Sequence, residues 1–156
     1  MRVYADTSFL LKLLAQEPDT EIVIAQYRRM GSPALFLLPL HALEVRNAIL
    51  QRAFHQRRSV TSGERQRIAR ERDTALARLG HYLTRRALLD VTLDMDAAIT
   101  LAANLSTKHT ERLGARAIDL LHVASALTLE SELFLTTDGR QAQLAKAEGL
   151  KVVSVS

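Results

Sequence analysis

Four acidic residues, far apart in the sequence, are the side chains most able to do chemistry: Asp6, Glu44, Asp119 and Asp138. Each lies in, or at the end of, an apolar stretch. An unpaired carboxylate is costly to bury there and normally finds a cation or hydrogen-bond donors. If the fold brings the four together, their oxygens form a pocket suited to Mg²⁺ or Mn²⁺, because hard cations prefer oxygen ligands.

Each acid also has an ordinary explanation. Asp6 precedes a helix and can cap it, and Asp138 lies in an Asp-Gly turn. Glu44, near the start of a helix, gains from the helix dipole. Asp119 could be a carboxylate in the first turn of a buried helix, with His122 one turn later as a satisfied core histidine. Only a shared location would favour the metal-site interpretation over these four separate ones.

Other kinds of site have less support. The chain has no cysteine, which excludes disulfides and thiolate zinc sites. The six glycines form no phosphate-binding loop, and Ser8 lacks the surroundings of a nucleophile elbow. The histidines are scattered without a zinc-ligand spacing, at positions 41, 55, 81, 109 and 122.

The elements that must position the acids alternate along the chain. Thr61 and Glu64 have the spacing of a capping box, Asp94 can cap a helix, and Gly114 ends one. Apolar stretches predict five strands, at residues 2–5, 34–38, 87–93, 133–137 and 150–155. Helical patterns are predicted at residues 9–16, 20–30, 40–54, 61–82, 95–109, 117–130 and 141–149.

This alternation predicts an α/β fold with a mostly parallel sheet and one domain over residues 1–156. The segment 40–84 is predicted to form a helical hairpin that projects from the sheet. Ligands of open parallel sheets bind at the carboxyl ends of the strands, and Asp6 and Asp138 both follow strands there. Within the helix at 40–54, we expect Leu43, Asn47 and Leu50 on related faces.

The net charge of +4 is concentrated in arginines between residues 46 and 86. Arginine forms bidentate contacts with phosphate, so a nucleic-acid backbone is one possible partner. A solvated helical face with ion pairs is the alternative, since Glu64, Glu71 and Asp73 are interspersed. The arginines that we expect to contact RNA are Arg46, Arg52, Arg57 and Arg58.

The composition is that of a soluble globular protein, with 47% hydrophobic and 24% charged residues. No apolar run is long enough to cross a bilayer, and Asp6 interrupts the only stretch that resembles a signal peptide. The absence of cysteine fits a reducing compartment. These observations favour a cytoplasmic protein with no membrane partner.

Four segments of the chain together resemble the PIN-domain ribonucleases, in particular the VapC-type toxins of toxin–antitoxin pairs. The segments occur in the family's order between residues 3 and 152. They are VYADTSFLLKLL with Asp6, LHALEVRNAIL with Glu44 and Asn47, AIDLLHVASAL with Asp119, and LFLTTDGRQAQLAKAEGLKV with Asp138.

This resemblance implies a three-layer sandwich, in which helices flank a five-stranded parallel sheet and the four acids meet at one end. It implies Mg²⁺- or Mn²⁺-dependent endoribonuclease activity, a homodimer, and an antitoxin that covers the active site. Thr7, Ser8 and Thr137 match positions that support the acids, and Asn47 and His122 are expected to assist.

The leading hypothesis is therefore a metal-dependent endoribonuclease, with Asp6, Glu44, Asp119 and Asp138 as metal ligands. One alternative is a catalytically silent module that keeps the fold and binds RNA or protein. Another is a phosphotransfer-type regulatory domain with Asp6 as the phosphate acceptor, although an acidic pair beside that strand is missing.

Overall fold

The computed structural model describes residues 1–154, except for the side chain of Ser59. Five strands form one sheet in the order β3-β2-β1-β4-β5, and the pairs β1–β4, β2–β3 and β4–β5 are parallel. The fold is thus α/β, as predicted. The strands are β1 (Val3–Ala5), β2 (Leu35–Leu37), β3 (Leu88–Asp90), β4 (Leu133–Thr136) and β5 (Val152–Ser154).

Helices connect successive strands. The described residues contain α1 (Thr7–Leu14), α2 (Thr20–Arg29), α3 (Pro39–Gln56), a short 3₁₀ helix (Arg57–Ser59), α4 (Ser62–Thr84), α5 (Met95–Leu113), α6 (Ala117–Thr128) and α7 (Gly139–Ala147). All seven predicted α-helices are present.

The strands are shorter than their apolar stretches. The predicted strand at 87–93 pairs only from Leu88 to Asp90, because its partner β2 runs from Leu35 to Leu37 and offers no further residues. Apolar runs mark burial, whereas a strand ends where its hydrogen-bonding partner ends. The last predicted strand reaches Val155, which lies outside the described residues.

One compact unit comprises Met1–Phe9 and the chain from Val91 onward. Its strands β1 and β4 are buried along their whole length, as expected for strands covered on both faces. The Tyr4 and Phe134 rings stack there with centroids 5.5 Å apart. Helix α6 is buried from Leu120 to Ala126, with Leu121 partly exposed, and packs against α5.

A second compact unit comprises Leu10–Asp90. It contains the helical hairpin α3–α4, and Thr61 and Glu64 form the predicted capping box at the start of α4. Leu43 and Leu50 are exposed by 66% and 44%, so the face of α3 that they share with Asn47 lies toward solvent rather than in the core. No helix within residues 1–154 is long and apolar enough to cross a membrane.

Candidate active site

The carboxyl ends of two neighbouring strands create the first part of the site. In the register of β1 and β4, Ala5 pairs with Leu135, and the Asp6 N–H donates to the Leu135 carbonyl at 3.0 Å. Thr136 therefore lies beside Asp6. Its hydroxyl donates to Asp6 Oδ2 and accepts from the Asp138 N–H at 2.9 Å. One threonine thus connects the two acids that follow these strands.

Asp6 is completely buried. Its Oδ1 accepts hydrogen bonds from Ser8 Oγ at 2.7 Å and from the Phe9 N–H at 2.9 Å, so Asp6 caps α1 as predicted. Burial raises the pKa of Asp6, and the hydrogen bonds from Thr136, Ser8 and Phe9 only partly oppose that shift. Burial therefore makes the negative charge of Asp6 less favourable than it would be in water.

Asp119 is also completely buried, at the third residue of α6. Its Oδ2 accepts from Arg116 N at 3.0 Å and Nε at 2.9 Å. Its Oδ1 accepts from Arg116 Nη2 at 2.9 Å and Gln141 Nε2 at 3.2 Å. Burial acts to raise the pKa of Asp119, but the Arg116 and Gln141 contacts outweigh it and the pKa is lowered. Asp119 is therefore a stable carboxylate.

Asp138 caps the last helix, α7. Its Oδ1 accepts from the backbone N–H groups of Arg140 at 2.8 Å and Gln141 at 3.2 Å. Its Oδ2 lies 3.4 Å from Arg116 Nη2, and the side chain is 30% exposed. The N-termini of α1, α6 and α7 thus each carry one of the three aspartates, and their dipoles favour the negative charge.

Arg116, Gln141 and Thr136 are site residues that sequence reasoning missed. Arg116 contacts both Asp119 and Asp138, and Gln141 donates to Asp119 from a buried position. Spacing was the available signal: Arg116 precedes Asp119 by three residues, and Gln141 follows Asp138 by three. Such positions face each other across one helical turn.

His122 is buried, and it interacts electrostatically with Asp6. Its Nδ1 is 2.8 Å from the Tyr4 hydroxyl and its Nε2 is 3.4 Å from Thr7 Oγ1. Both ring nitrogens have hydrogen-bonding partners, so His122 is better suited to positioning Thr7 than to ligating a metal.

A family model for the PIN domain matches residues 3–147 of the chain. The protein belongs to the PIN-domain family. PIN domains are generally nucleases and typically use divalent metal ions.

The fold of this PIN domain is also similar to that of a solved structure. The crystal structure of FitAcB from Neisseria gonorrhoeae matches with a TM-score of 0.62, covering 97% of this chain and 96% of that chain. Only 15% of the aligned residues are identical, so this likeness shows a shared fold. No curated protein matches the chain.

Of the other site residues predicted from the sequence, Ser8 and Thr137 contact the acidic network. Ser8 Oγ accepts from the Thr137 N–H at 3.0 Å, so Thr137 contributes through its backbone, while the hydroxyl that donates to Asp6 belongs to Thr136. Glu44 is partly exposed and Asn47 is exposed, both on α3 in the second unit. Their participation in the site stays a prediction.

The four arginines expected to contact RNA also lie in the second unit. Arg46, Arg57 and Arg58 are exposed, and the Arg58 guanidinium lies over the Phe54 ring at 5.7 Å from its centroid. Arg52 is 3.5 Å from Glu17 Oε1 and is less available. Their role in binding RNA stays a prediction.

The donor set of the first unit fits a hard divalent cation. Its candidate ligands are carboxylate oxygens, and the buried Gln141 Oε1 beside them has no hydrogen-bond partner. Oxygen donors of this kind suit Mg²⁺ or Mn²⁺ rather than Zn²⁺. Within residues 1–154, however, no three acidic or histidine side chains converge closely enough to hold one ion as they stand. Asp6, Asp119 and Asp138 are instead linked through Thr136 and Arg116.

Proposed function

We propose that this PIN domain is a Mg²⁺- or Mn²⁺-dependent endoribonuclease in which Asp6, Asp119 and Asp138 hold the metal, with Glu44 as a fourth acidic ligand. One observation carries the proposal: three carboxylates from distant parts of the sequence, two of them completely buried, share one hydrogen-bonded network at the ends of β1 and β4. Structural capping explains each acid singly but does not explain why they meet.

A bound divalent ion supplies a Lewis acid and an activated water for phosphodiester hydrolysis. The chain's own residues hold the ligands in place. Thr136 and Ser8 fix both oxygens of Asp6, and Gln141 holds Asp119. Because such supporting hydrogen bonds determine the orientation of a ligand, we assign Ser8, Thr136 and Gln141 as positioning residues.

RNA is the proposed substrate. It is preferred over duplex DNA because the chain has no groove-reading motif. The exposed arginines Arg46, Arg57 and Arg58, together with Arg52, would contact the phosphate backbone, so binding should weaken as salt rises.

The biological role that we propose is that of a cytoplasmic toxin in a type II toxin–antitoxin pair. It rests on the resemblance to VapC-type toxins, as do the proposed homodimer and the antitoxin partner. A small protein encoded immediately upstream, which relieves growth inhibition by this PIN domain, would support the toxin role. Growth inhibition that no adjacent gene product relieves would contradict it.

The decisive experiment compares Asp6→Asn with wild type in cleavage of a panel of RNAs in Mg²⁺ and Mn²⁺. We expect Asp6→Asn to abolish cleavage while circular dichroism shows an intact fold, because the amide cannot supply the carboxylate's charge. Asp96→Asn is the matched control, since Asp96 is an exposed acid in the first turn of α5 outside the network. Cleavage by a pure preparation of Asp6→Asn would overturn the assignment.

A catalytically silent RNA- or protein-binding module is the second candidate. The observation that favours it is that the acids do not converge on one point and Asp119 is engaged by Arg116. RNA binding without cleavage in either metal, across the whole panel, would establish it. A phosphotransfer role is disfavoured, because the sequence lacks the acidic pair that should accompany an acceptor aspartate beside that strand.

A further inference from the structure

The hydrogen bonds of Asp119 fill its carboxylate. An ionised carboxylate has about four lone-pair positions, two on each oxygen. Asp119 receives four donors, two on each oxygen: Arg116 N and Nε on Oδ2, and Arg116 Nη2 and Gln141 Nε2 on Oδ1. A cation that binds Asp119 must therefore replace one of these donors.

The other two aspartates of the network differ from Asp119. Asp6 Oδ2 accepts one hydrogen bond, from Thr136, and Asp138 Oδ2 has only the long 3.4 Å contact with Arg116 Nη2. Each therefore keeps lone-pair capacity on an oxygen. Asp119 is thus the acid at which a metal and the protein compete.

The four donors to Asp119 are not equally easy to remove. The Arg116 N–H belongs to the backbone at the start of α6, and Gln141 is 95% buried on α7. The Arg116 side chain, by contrast, is 61% exposed, so its guanidinium can regain water when it leaves. The guanidinium is also the donor whose positive charge repels an incoming cation.

We propose that Arg116 is an internal counter-cation of the metal site, which holds Asp119 and Asp138 until a divalent metal replaces its guanidinium on Asp119. This inference rests on the proposed metal site and adds a regulatory residue to it. The Arg116 guanidinium and the metal compete for Asp119. Because this coupling is reciprocal, the Arg116–Asp119 contact lowers the affinity for the metal by the same factor by which the metal weakens that contact.

Mn²⁺ binding measured by calorimetry tests this exchange. We expect Arg116→Gln to bind Mn²⁺ about 10-fold more tightly than wild type, since coupling between two competing ligands is commonly of this size. Arg112→Gln is the matched control. Arg112 lies on the other side of Gly114 in the same unit, and its guanidinium contacts His109 rather than a site acid. We expect its Mn²⁺ affinity to stay within about two-fold of wild type.

An NMR titration of the wild-type protein with Mg²⁺ gives a second measurement that needs no folded variant. The Arg116 Nε–H signal, assigned through its side-chain correlations to the Arg116 backbone, should shift and exchange faster with water as Mg²⁺ binds. The Arg112 Nε–H signal should stay unchanged.

The outcomes separate this inference from the proposed function. If wild type binds Mn²⁺ but Arg116→Gln binds equally or more weakly, or if both variants gain affinity equally, the exchange at Asp119 is wrong while the metal site stands. An Arg116 Nε–H signal that Mg²⁺ saturation leaves unaltered would contradict the exchange in the same way. If wild type and both variants bind no Mn²⁺, the metal site itself is wrong, and the exchange is wrong with it.

Discussion

Two carboxylates in the same compact unit, Asp119 and Glu148, have similar partners but different surroundings. Asp119 is paired with Arg116 and shares it with a second acid, Asp138. Glu148, just after α7, accepts from Lys108 Nζ at 2.8 Å and from a histidine. Both have a lowered pKa, because their basic partners outweigh the burial that acts to raise it.

The histidine in the Glu148 cluster connects Glu148 to a second basic side chain, Arg112. Arg112 Nη2 lies 3.0 Å from His109 Nδ1, and arginine can only donate, so Nδ1 accepts and the proton resides on Nε2. That Nε2–H donates to Glu148 Oε1. The cluster therefore joins α5 to the end of α7 with each contact satisfied by the chain itself.

The difference between the clusters lies in their charge balance. Glu148 has basic partners, whereas Asp119 and Asp138 share one arginine and Asp6 joins them through Thr136. A cluster with excess negative charge can gain free energy by exchanging its arginine for a divalent ion, whereas a cluster without that excess cannot. We infer that the Glu148 cluster contributes stability and the Asp119 cluster contributes function.

The largest expected effect is on metal affinity. Asp119→Asn should reduce Mn²⁺ affinity by more than the roughly 10–100-fold that loss of a supporting residue costs, because it removes a proposed ligand. Glu148→Gln should leave the affinity unchanged. Calorimetry on both variants checks this, and equal losses in the two would abolish the functional distinction between the clusters.

The next effect is on folding stability. Glu148→Gln should lower the free energy of unfolding by about 2 kcal/mol at neutral pH, since it weakens two charge-assisted hydrogen bonds of a side chain that is only 13% exposed. The pKa of Glu148 is lower in the folded state than in the unfolded state. Its contribution is therefore present above the unfolded pKa and is lost as the pH falls through the folded pKa.

Urea unfolding of wild type and Glu148→Gln at several pH values measures this contribution. The two stability curves should approach each other as the solution becomes acidic. Curves that stay parallel down to low pH would show that the charge of Glu148 contributes nothing to stability. Glu111→Gln serves as a control, because Glu111 is exposed on α5 near the cluster.

The smallest effect concerns support for Asp119. Gln141→Leu removes the donor to Asp119 Oδ1 together with the unpartnered Oε1, and should weaken Mn²⁺ binding roughly 10-fold. Stability should change little, because leucine is similar in volume and leaves no unsatisfied amide. Gln143→Leu, at an exposed position of the same helix, should bind Mn²⁺ as wild type does. An unchanged affinity in Gln141→Leu would show that Gln141 does not support the ligand.

The sequence predicted the helices and strands well, because the spacing of its apolar residues and its helix-capping residues are clear signals. Asp6, Asp94 and Thr61 cap their helices as expected. It also predicted that Asp6 and Asp138 would follow strands, and parallel register then brings them together. These features depend on local sequence and on one general property of parallel sheets.

The supporting residues could not be predicted in the same way. Thr136 rather than Thr137 bonds Asp6, because a side chain's direction depends on where β4 stops, which apolar content does not reveal. Arg116 looks like one more surface arginine in a basic chain. Its role follows from the bidentate contact with Asp119 three residues later, and the burial of Asp119 is a property of tertiary structure. The participation of Glu44, Asn47 and the four arginines stays a prediction.

The connection between α5 and α6 has a consequence for how this chain can evolve. Gly114 ends α5 in a left-handed conformation with φ of 61°, and only Ala115 separates it from Arg116. Loops usually tolerate insertions between homologues. Here, one added residue would displace the guanidinium from Asp119, so length variation should be tolerated elsewhere in the chain before it is tolerated at this turn.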